Sequence, residues 1–323
     1  MKNVLLYFLF IVRFFVCDAQ VPQISLVIVG GIEDGALKQR IESNTSRLLM
    51  EINESFRNNA IVPEPDSKAV TANGIEVISD LWKEGHFFCS SQRLSVSISR
   101  KNESWQIRNI PLVFERDTFD GVVEYLQDGL IDDFYIGLEE HQVNRVLDGE
   151  GVIDQTRREI ILNFLENFRT AYIRKDTAYI SKLFSDKALI IVGKVLKTDT
   201  ASNDQFKKTF TSDQVVYQVK TKSHYIQDLQ TVFNSSSYLR LYFRNIEVVK
   251  HRKFPGFYGI LLQQKWDASN YTDDGWLFIL VQFKINEDPI IHIRTWQLVE
   301  DTQPNEVFGS YKFIIPAGEI INR

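Results

Sequence analysis

A stretch near the C-terminal end carries three side chains with the chemistry to bind a ligand together. In "IIHIRTWQ", His292, Arg294 and Trp296 occupy alternate positions, and alternate residues of a β-strand lie on one face of the sheet. An imidazole, a guanidinium and an indole in one row suit an anionic or aromatic ligand. The alternative is that this face is solvated and that Arg294 pairs with a carboxylate of a neighbouring strand. Alternation alone leaves both faces open.

The remaining reactive residue types form no recognisable catalytic or metal-binding pattern. As a catalytic base, His292 would need an orienting partner and a nucleophile, and the sequence identifies neither. The five histidines lack HxxxH or CxxC spacing, so we expect no metal site and no cofactor. Cys89, in "HFFCSSQ", is expected to be a small buried hydrophobe. The glycines of "IVGGIEDGALKQR" match neither phosphate-binding pattern and indicate a flexible start to a helix.

The elements that would position the His–Arg–Trp row follow a definite order. After the turn-rich "LDGEGVIDQTRRE", apolar residues at helical spacing predict a long helix over "RREIILNFLENFRTAYIRKD". A shorter helix ("TAYISKLFSD"), a strand ("KALIIVGKVL") and a third helix ("SHYIQDLQTVFNS") follow. Four strand-like segments then complete the order, separated by turns containing Gly, Pro and Asp. They span residues 239–250, 257–268, 275–286 and 289–300.

This order of elements resembles the nuclear transport factor 2-like (SnoaL-like) superfamily. The resemblance covers about residues 154–300 and implies three helices wrapped against a strongly bent antiparallel sheet, a cone with a cavity. We therefore predict an α+β protein in which residues 151–301 form this cone and residues 302–323 a C-terminal extension. The residues that carry the resemblance share the spacing of its motif: Phe168, Tyr172, Lys175-Asp176, Leu183-Phe184-Ser185-Asp186 and Gly193.

The resemblance also implies where an enzyme of this superfamily would hold its catalytic groups. In isomerase-like members, a tyrosine precedes the aspartate that starts the second helix by eight residues, and counting back from Asp176 gives Phe168. The general-base aspartate of that pattern falls on Val192. Neither side chain can donate or accept a proton, so that mechanism is not available on these residues. No catalytic residue is therefore assigned.

The same positions are candidates for lining a binding cavity. Phe168 and Tyr172 lie four residues apart on the first predicted helix, so they are expected to face the same side. The resemblance places Val192 on the strand that crosses beneath them. We expect these three residues to surround the cone interior, with the Tyr172 hydroxyl as its polar group, and the row on the last strand to supply the further candidates.

The N-terminal part predicts an export signal and a separate domain. A charged start, the apolar run Val4–Val12 and the small residues Cys17-Asp18-Ala19 are typical of a secretory signal peptide, here residues 1–19. A lipid anchor on Cys17 is the alternative. Residues 20–150 combine helix-like and strand-like segments and are expected to form a separate α+β domain. The chain as a whole resembles secreted proteins of Bacteroidota.

The composition of the chain restricts the kinds of partner that the protein can bind. The chain has 323 residues, a length typical of two domains, and its formal charge of −5 provides no basic surface for nucleic acid. After the N-terminus, no apolar run is long enough for a transmembrane helix. We predict a periplasmic or extracellular non-enzymatic module that binds a small apolar or aromatic ligand or another envelope protein. The alternative is an isomerase- or dehydratase-like enzyme with a rearranged site, which two convergent titratable groups in the cavity would favour.

Overall fold

The structure is a computed structural model that describes residues 23–101, 103–115, 117–149, 154–196, 214–251, 253–284, 287–299, 302 and 304. The predicted signal peptide and most of the predicted C-terminal extension lie outside these residues. The described residues form helices and two six-stranded sheets, which confirms the α+β class. No described helix is long and apolar enough to cross a membrane.

The first sheet is built by the N-terminal part of the chain, in the order β1-β3-β4-β5-β6, with β2 paired to β4. Helices α1 and α2 pack their apolar sides against it, and the Asp34 carboxylate caps α1 by accepting from the backbone N–H groups of Ala36 and Leu37. The elements are β1 (Ser25–Gly30), α1 (Gly35–Arg57), α2 (Ala72–Glu84), β2 (Phe87–Cys89), β3 (Arg93–Lys101), β4 (Ser104–Phe114), β5 (Asp117–Tyr125), β6 (Ile131–Ile136) and α3 (Glu140–Leu147).

The structure corrects the expected flexible start before α1. The segment "SLVIVG" is strand β1, which pairs in parallel with β3. Leu26 and Ile28 are buried in the core, while Val27 and Val29 point outward and are 47% and 66% exposed. The run is apolar on both faces, so it lacks the polar alternation by which a half-buried strand is recognised.

The second sheet is built by the C-terminal part, in the order β8-β7-β12-β11-β10-β9. The predicted sequence of helix, helix, strand, helix and four strands is confirmed, and β8 is an additional strand. The elements are α4 (Gln155–Ile173), α5 (Thr177–Leu183), β7 (Phe184–Leu196), β8 (Gln214–Lys220), α6 (Lys222–Ser235), β9 (Leu239–Lys250), β10 (Phe257–Ala268), β11 (Tyr271–Gln282) and β12 (Ile290–Leu298).

This sheet is mixed, so the prediction of a purely antiparallel sheet is wrong. Strands β9 to β12 form an antiparallel meander, but β12 pairs with β7 in parallel, with Ile293 opposite Leu189. The pairing is parallel because β12, the last strand of the meander, runs in the same direction as β7. The described strands leave β8 and β9 as its two edges, so this sheet does not close on itself.

Helix α4 connects the two sheets through buried polar contacts. Glu166 accepts hydrogen bonds from both terminal nitrogens of Arg108, a β4 residue, and from the backbone N–H of Leu138. Arg169 donates from Nη2 to the carbonyl oxygens of Ile136 and Gly137, the latter at 2.8 Å. Helix α4, which covers the second sheet, thereby contacts β4 and the segment after β6 of the N-terminal part through charged side chains.

Candidate ligand-binding site

A cavity of about 400 Å³ lies between α6 and one face of the second sheet. This volume is in the range of pockets that hold small organic molecules. Its walls come from α6 and from strands β7, β8, β10, β11 and β12. The lining residues combine aromatic rings with polar groups: Val192, Gly193, Lys220, Tyr225, Asp228, Leu229, Val232, Ser235, Gln264, Trp266, Asn270, Tyr271, Asp273, Arg294 and Trp296.

The Trp296 indole forms part of the cavity wall by lying over two neighbouring strands. β12 runs between β7 and β11, and each of these strands places a glycine beneath the ring. A Cβ atom at Gly275 would lie 2.2 Å from Trp296 Cε2, and one at Gly193 would lie 2.5 Å from Cζ3. Both distances are far below van der Waals contact, so the ring can lie this close to the sheet only because both residues lack a side chain.

We expect Gly275→Ala to lower the free energy of unfolding by about 1–3 kcal/mol, because the new methyl group displaces the Trp296 ring. Urea denaturation measures this loss. The matched control is Gly35→Ala, since a Cβ at Gly35 meets no atom within 4 Å. The control should change stability by no more than about 0.5 kcal/mol. If both variants lost the same free energy of unfolding, the position of the Trp296 ring would not require a glycine at position 275.

Arg294 is the buried cation of the cavity wall. It is 6% exposed, and its guanidinium carbon lies 5.1 Å from the centre of the Tyr225 ring. Its Nε and Nη1 atoms are buried without a hydrogen-bond partner. A buried charge without full pairing is unusual, because desolvation of an ion is strongly unfavourable. The structure places Arg294, Trp296 and Val192, three of the candidates from the sequence, among the residues that line this cavity.

Asp273 is a largely buried acid on the same wall. Burial raises the pKa of its carboxyl to about 6, although a hydrogen bond from Tyr271 and the charge of Arg294 act to lower it. Its Oδ1 atom has no hydrogen-bond partner, and the indole Nε1 atoms of Trp266 and Trp296 are also buried without one. The cavity lining therefore includes a buried cation, a largely buried acid, and unpartnered hydrogen-bond donors and acceptors.

Phe168 and Tyr172 lie in the core behind this cavity, which corrects their expected place on its wall. They are 1% and 2% exposed and contact each other edge-to-face at 5.0 Å. The Tyr172 hydroxyl lies 2.6 Å from that of Tyr225, which lines the cavity from α6. Burial, and then the neighbouring Tyr225, raise the pKa of Tyr172 well above its ordinary value. Tyr172 therefore contacts two residues that line the cavity, Tyr225 and Arg294, without lining it itself.

A β-bulge removes His292 from the row, so the prediction that it shares a face with Arg294 is wrong. Val281 pairs with Ile291 and Leu280 with Ile293, which leaves His292 as an extra residue. Such a residue breaks the alternation of faces. Ile291 joins the core beside the helices, whereas Ile293 packs on the opposite side of the sheet. There His292 contacts Gln282 at 3.1 Å and the ring of Phe257 at 5.2 Å.

Sequence reasoning missed Asp273 because "YTDDGW" was interpreted as a turn before a strand that begins at residue 275. The structure begins β11 at Tyr271. Asp273 and Gly275 then alternate in phase with Leu277, a core residue on the same face. The period of two was therefore present in the sequence, and extending it backwards from "GWLFIL" would have placed Asp273 on the inner face.

Metal binding and a reactive cysteine are the other kinds of site to consider among the described residues. No group of three His, Cys, Asp or Glu side chains among them is placed to hold a metal ion. Cys89 is buried as predicted, and burial raises the pKa of its thiol. A raised pKa reduces the thiolate fraction, which is the reactive form.

No family model and no curated protein matches the chain. A structure from Bdellovibrio bacteriovorus is similar at 11% identity and TM-score 0.34, over 54% of this chain and 48% of that one. A putative scytalone dehydratase from Novosphingobium aromaticivorans has 10% identity and TM-score 0.30, over 45% and 85%. A putative dehydratase of the nuclear transport factor 2-like family from Streptomyces avermitilis has 9% identity and TM-score 0.30, over 45% and 98%.

The chain spans about half the length of the Bdellovibrio protein. Likenesses at these identities and TM-scores carry no inference about activity, so the chemistry of the site rests on its own geometry. That geometry defines an α+β protein whose helix-covered mixed sheet lines a cavity with aromatic walls, a buried cation and a buried acid.

Proposed function

We propose that the protein is an exported, non-enzymatic module that binds a small organic ligand in the cavity beneath α6. The observation that supports this most directly is the set of buried, unpartnered polar atoms on Trp266, Asp273, Arg294 and Trp296, all of which line that cavity. Buried polar groups in folded proteins are almost always hydrogen-bonded. A ligand that supplies the missing partners, against aromatic walls, would account for their retention.

An enzyme with a rearranged site is the second candidate, and Asp273 is the observation in its favour. A carboxyl group with a raised pKa in a cavity is typical of a general base, and Arg294 lines the same cavity. Against it, the positions implied by the isomerase-like resemblance hold Phe168 and Val192, which transfer no proton. Turnover of a bound ligand by the wild type, lost in Asp273→Asn while binding is kept, would favour the enzyme.

The binding proposal predicts that filling the cavity abolishes ligand retention. Leu229 lies on α6 and lines the cavity, so Leu229→Trp should occupy space that the ligand needs. Native mass spectrometry of the full chain, purified from a host that exports it, should detect a bound small molecule in the wild type and none in this variant. Gln230→Trp is the control, because position 230 is exposed on the same helix. The control should retain the ligand.

The result also separates a small ligand from a protein partner. If the wild type carries no small molecule from its host, and small-molecule probes do not bind it, the cavity is not the functional site. Recognition of another envelope protein would then be the better proposal. If the molecule is retained equally by Leu229→Trp, it is bound elsewhere on the chain.

A further inference from the structure

We propose that the ligand is a small aromatic monocarboxylate whose carboxylate group is bound by Arg294. This inference rests on the proposed function, because it assumes that the cavity holds a ligand. Arg294 carries two buried nitrogens without a hydrogen-bond partner, Nε and Nη1. Either nitrogen can donate to a carboxylate oxygen, and a hydrogen bond from a guanidinium to a carboxylate is strong because both groups are charged.

The charges around the cavity point to an anionic group at Arg294. The other lining cation, Lys220, is already paired with Asp228, whereas Arg294 has no such direct partner among the described carboxylates. The nearby Tyr172 hydroxyl is neutral at pH 7, because burial raises its pKa, so it provides no negative charge. Arg294 is also closed off from bulk water, and an anion placed beside it meets a cation that solvent does not screen.

The other lining residues restrict what the carboxylate is attached to. Trp266 and Trp296 present aromatic surface, and Leu229 and Val232 add apolar surface from α6. An aromatic or otherwise apolar body fits these walls. Asp273 supplies a second acidic group to the same cavity, so a ligand with a further carboxylate would meet like charge. A single carboxylate on an aromatic body is therefore the class that fits.

The test is calorimetric titration of the full chain with 3-phenylpropionate and with its neutral isostere 3-phenylpropionamide. We expect the wild type to bind the acid about tenfold more tightly than the amide or better, a difference of about 1.4 kcal/mol. Arg294→Met should lose this preference while still binding the amide, and Arg294→Lys should keep part of it. Arg244→Met, a guanidinium on β9 that does not line the cavity, should keep all of it.

Equal binding of acid and amide by the wild type would overturn the carboxylate assignment and leave the binding module intact. Binding of neither probe at millimolar concentration would overturn this inference. If the native mass spectrum also shows no bound molecule, the proposed function fails with it. The comparison of the two probes on the wild type requires no variant, so it decides the question even if Arg294→Met does not fold.

Discussion

Replacing Arg108 with methionine is expected to lower the free energy of unfolding by about 3 kcal/mol. Arg108 binds the Glu166 carboxylate through both terminal nitrogens, with Nη1 2.7 Å from Oε2. The Glu166 side chain is 0% exposed. Burial opposes its ionisation, but Arg108 and the Leu138 amide hold the pKa of Glu166 below its ordinary value. The expected loss is at the lower end for a broken buried ion pair because Arg169 remains nearby.

The matched control is Arg174→Met. Arg174 also joins the two parts of the chain, through Asp133 at 2.6 Å, but these side chains are 30% and 24% exposed. Partly solvated pairs contribute about 1 kcal/mol or less. Urea denaturation of both variants at pH 7 measures the difference. Similar losses would show that burial does not set the strength of the Arg108–Glu166 contact. A double variant, Arg108→Met with Glu166→Leu, should recover much of the loss because no unpaired charge remains.

The same contact bears on the predicted independence of the two parts. The separate domains expected from the sequence imply that a fragment spanning residues 150–323 folds alone, and this stays a prediction. In that fragment Glu166 would lose Arg108, and Arg169 would lose the carbonyl groups of Ile136 and Gly137. Water would partly replace these partners, because the contact surface would become exposed. The fragment therefore folds alone only if packing in its own core outweighs the loss of these contacts to the charged residues of α4.

The elements that the sequence predicts well are those with one clear period. Apolar residues at steps of three and four predict a helix over residues 36–58, and helix α1 spans Gly35–Arg57. Strand β8 was missed because its buried and exposed sides are not marked by apolar alternation: Val216 and Val219 are 42% and 71% exposed. The parallel pairing of β12 with β7 depends on how distant segments meet, and local periodicity contains no information on that.

The residues of the site could be predicted from the sequence only where side chains alternate regularly between the two faces of a strand. Arg294 and Trp296 face the cavity together because regular strand geometry joins them. His292 does not, because the bulge inserts one residue, and a bulge has no reliable mark in a single sequence. The contact of Trp296 with two glycines is likewise tertiary. In the sequence, Gly193 is identified only as part of the motif that carries the resemblance. Its contact with Trp296 becomes visible once β12 is placed beside β7.

Replacing Asp273 with asparagine is expected to stabilise the protein by about 3 kcal/mol at pH 7.5 and to change its stability little at pH 4. Burial raises the pKa of Asp273 from 3.8 to about 6. Asp274 also raises it, whereas Tyr271, Arg294 and the Trp266 backbone lower it. Between pH 3.8 and about pH 6, Asp273 is protonated in the folded protein but ionised in the unfolded chain. Stability therefore falls as pH rises through this window, by about 1.36 kcal/mol per unit of pKa difference.

Asparagine has nearly the same shape as aspartate and does not titrate, so Asp273→Asn should lack this fall in stability between pH 4 and pH 6. Urea denaturation at several pH values measures it. In the control Asp274→Asn, the replaced carboxylate accepts a hydrogen bond from Gln263 at 2.9 Å. This variant should keep most of the wild-type fall in stability, because burial, and not the charge of Asp274, is the largest cause of the raised Asp273 pKa. Parallel curves for wild type and Asp273→Asn would exclude Asp273 as the responsible group. A buried acid that lowers stability at neutral pH is typical of a functional site, where binding opposes stability.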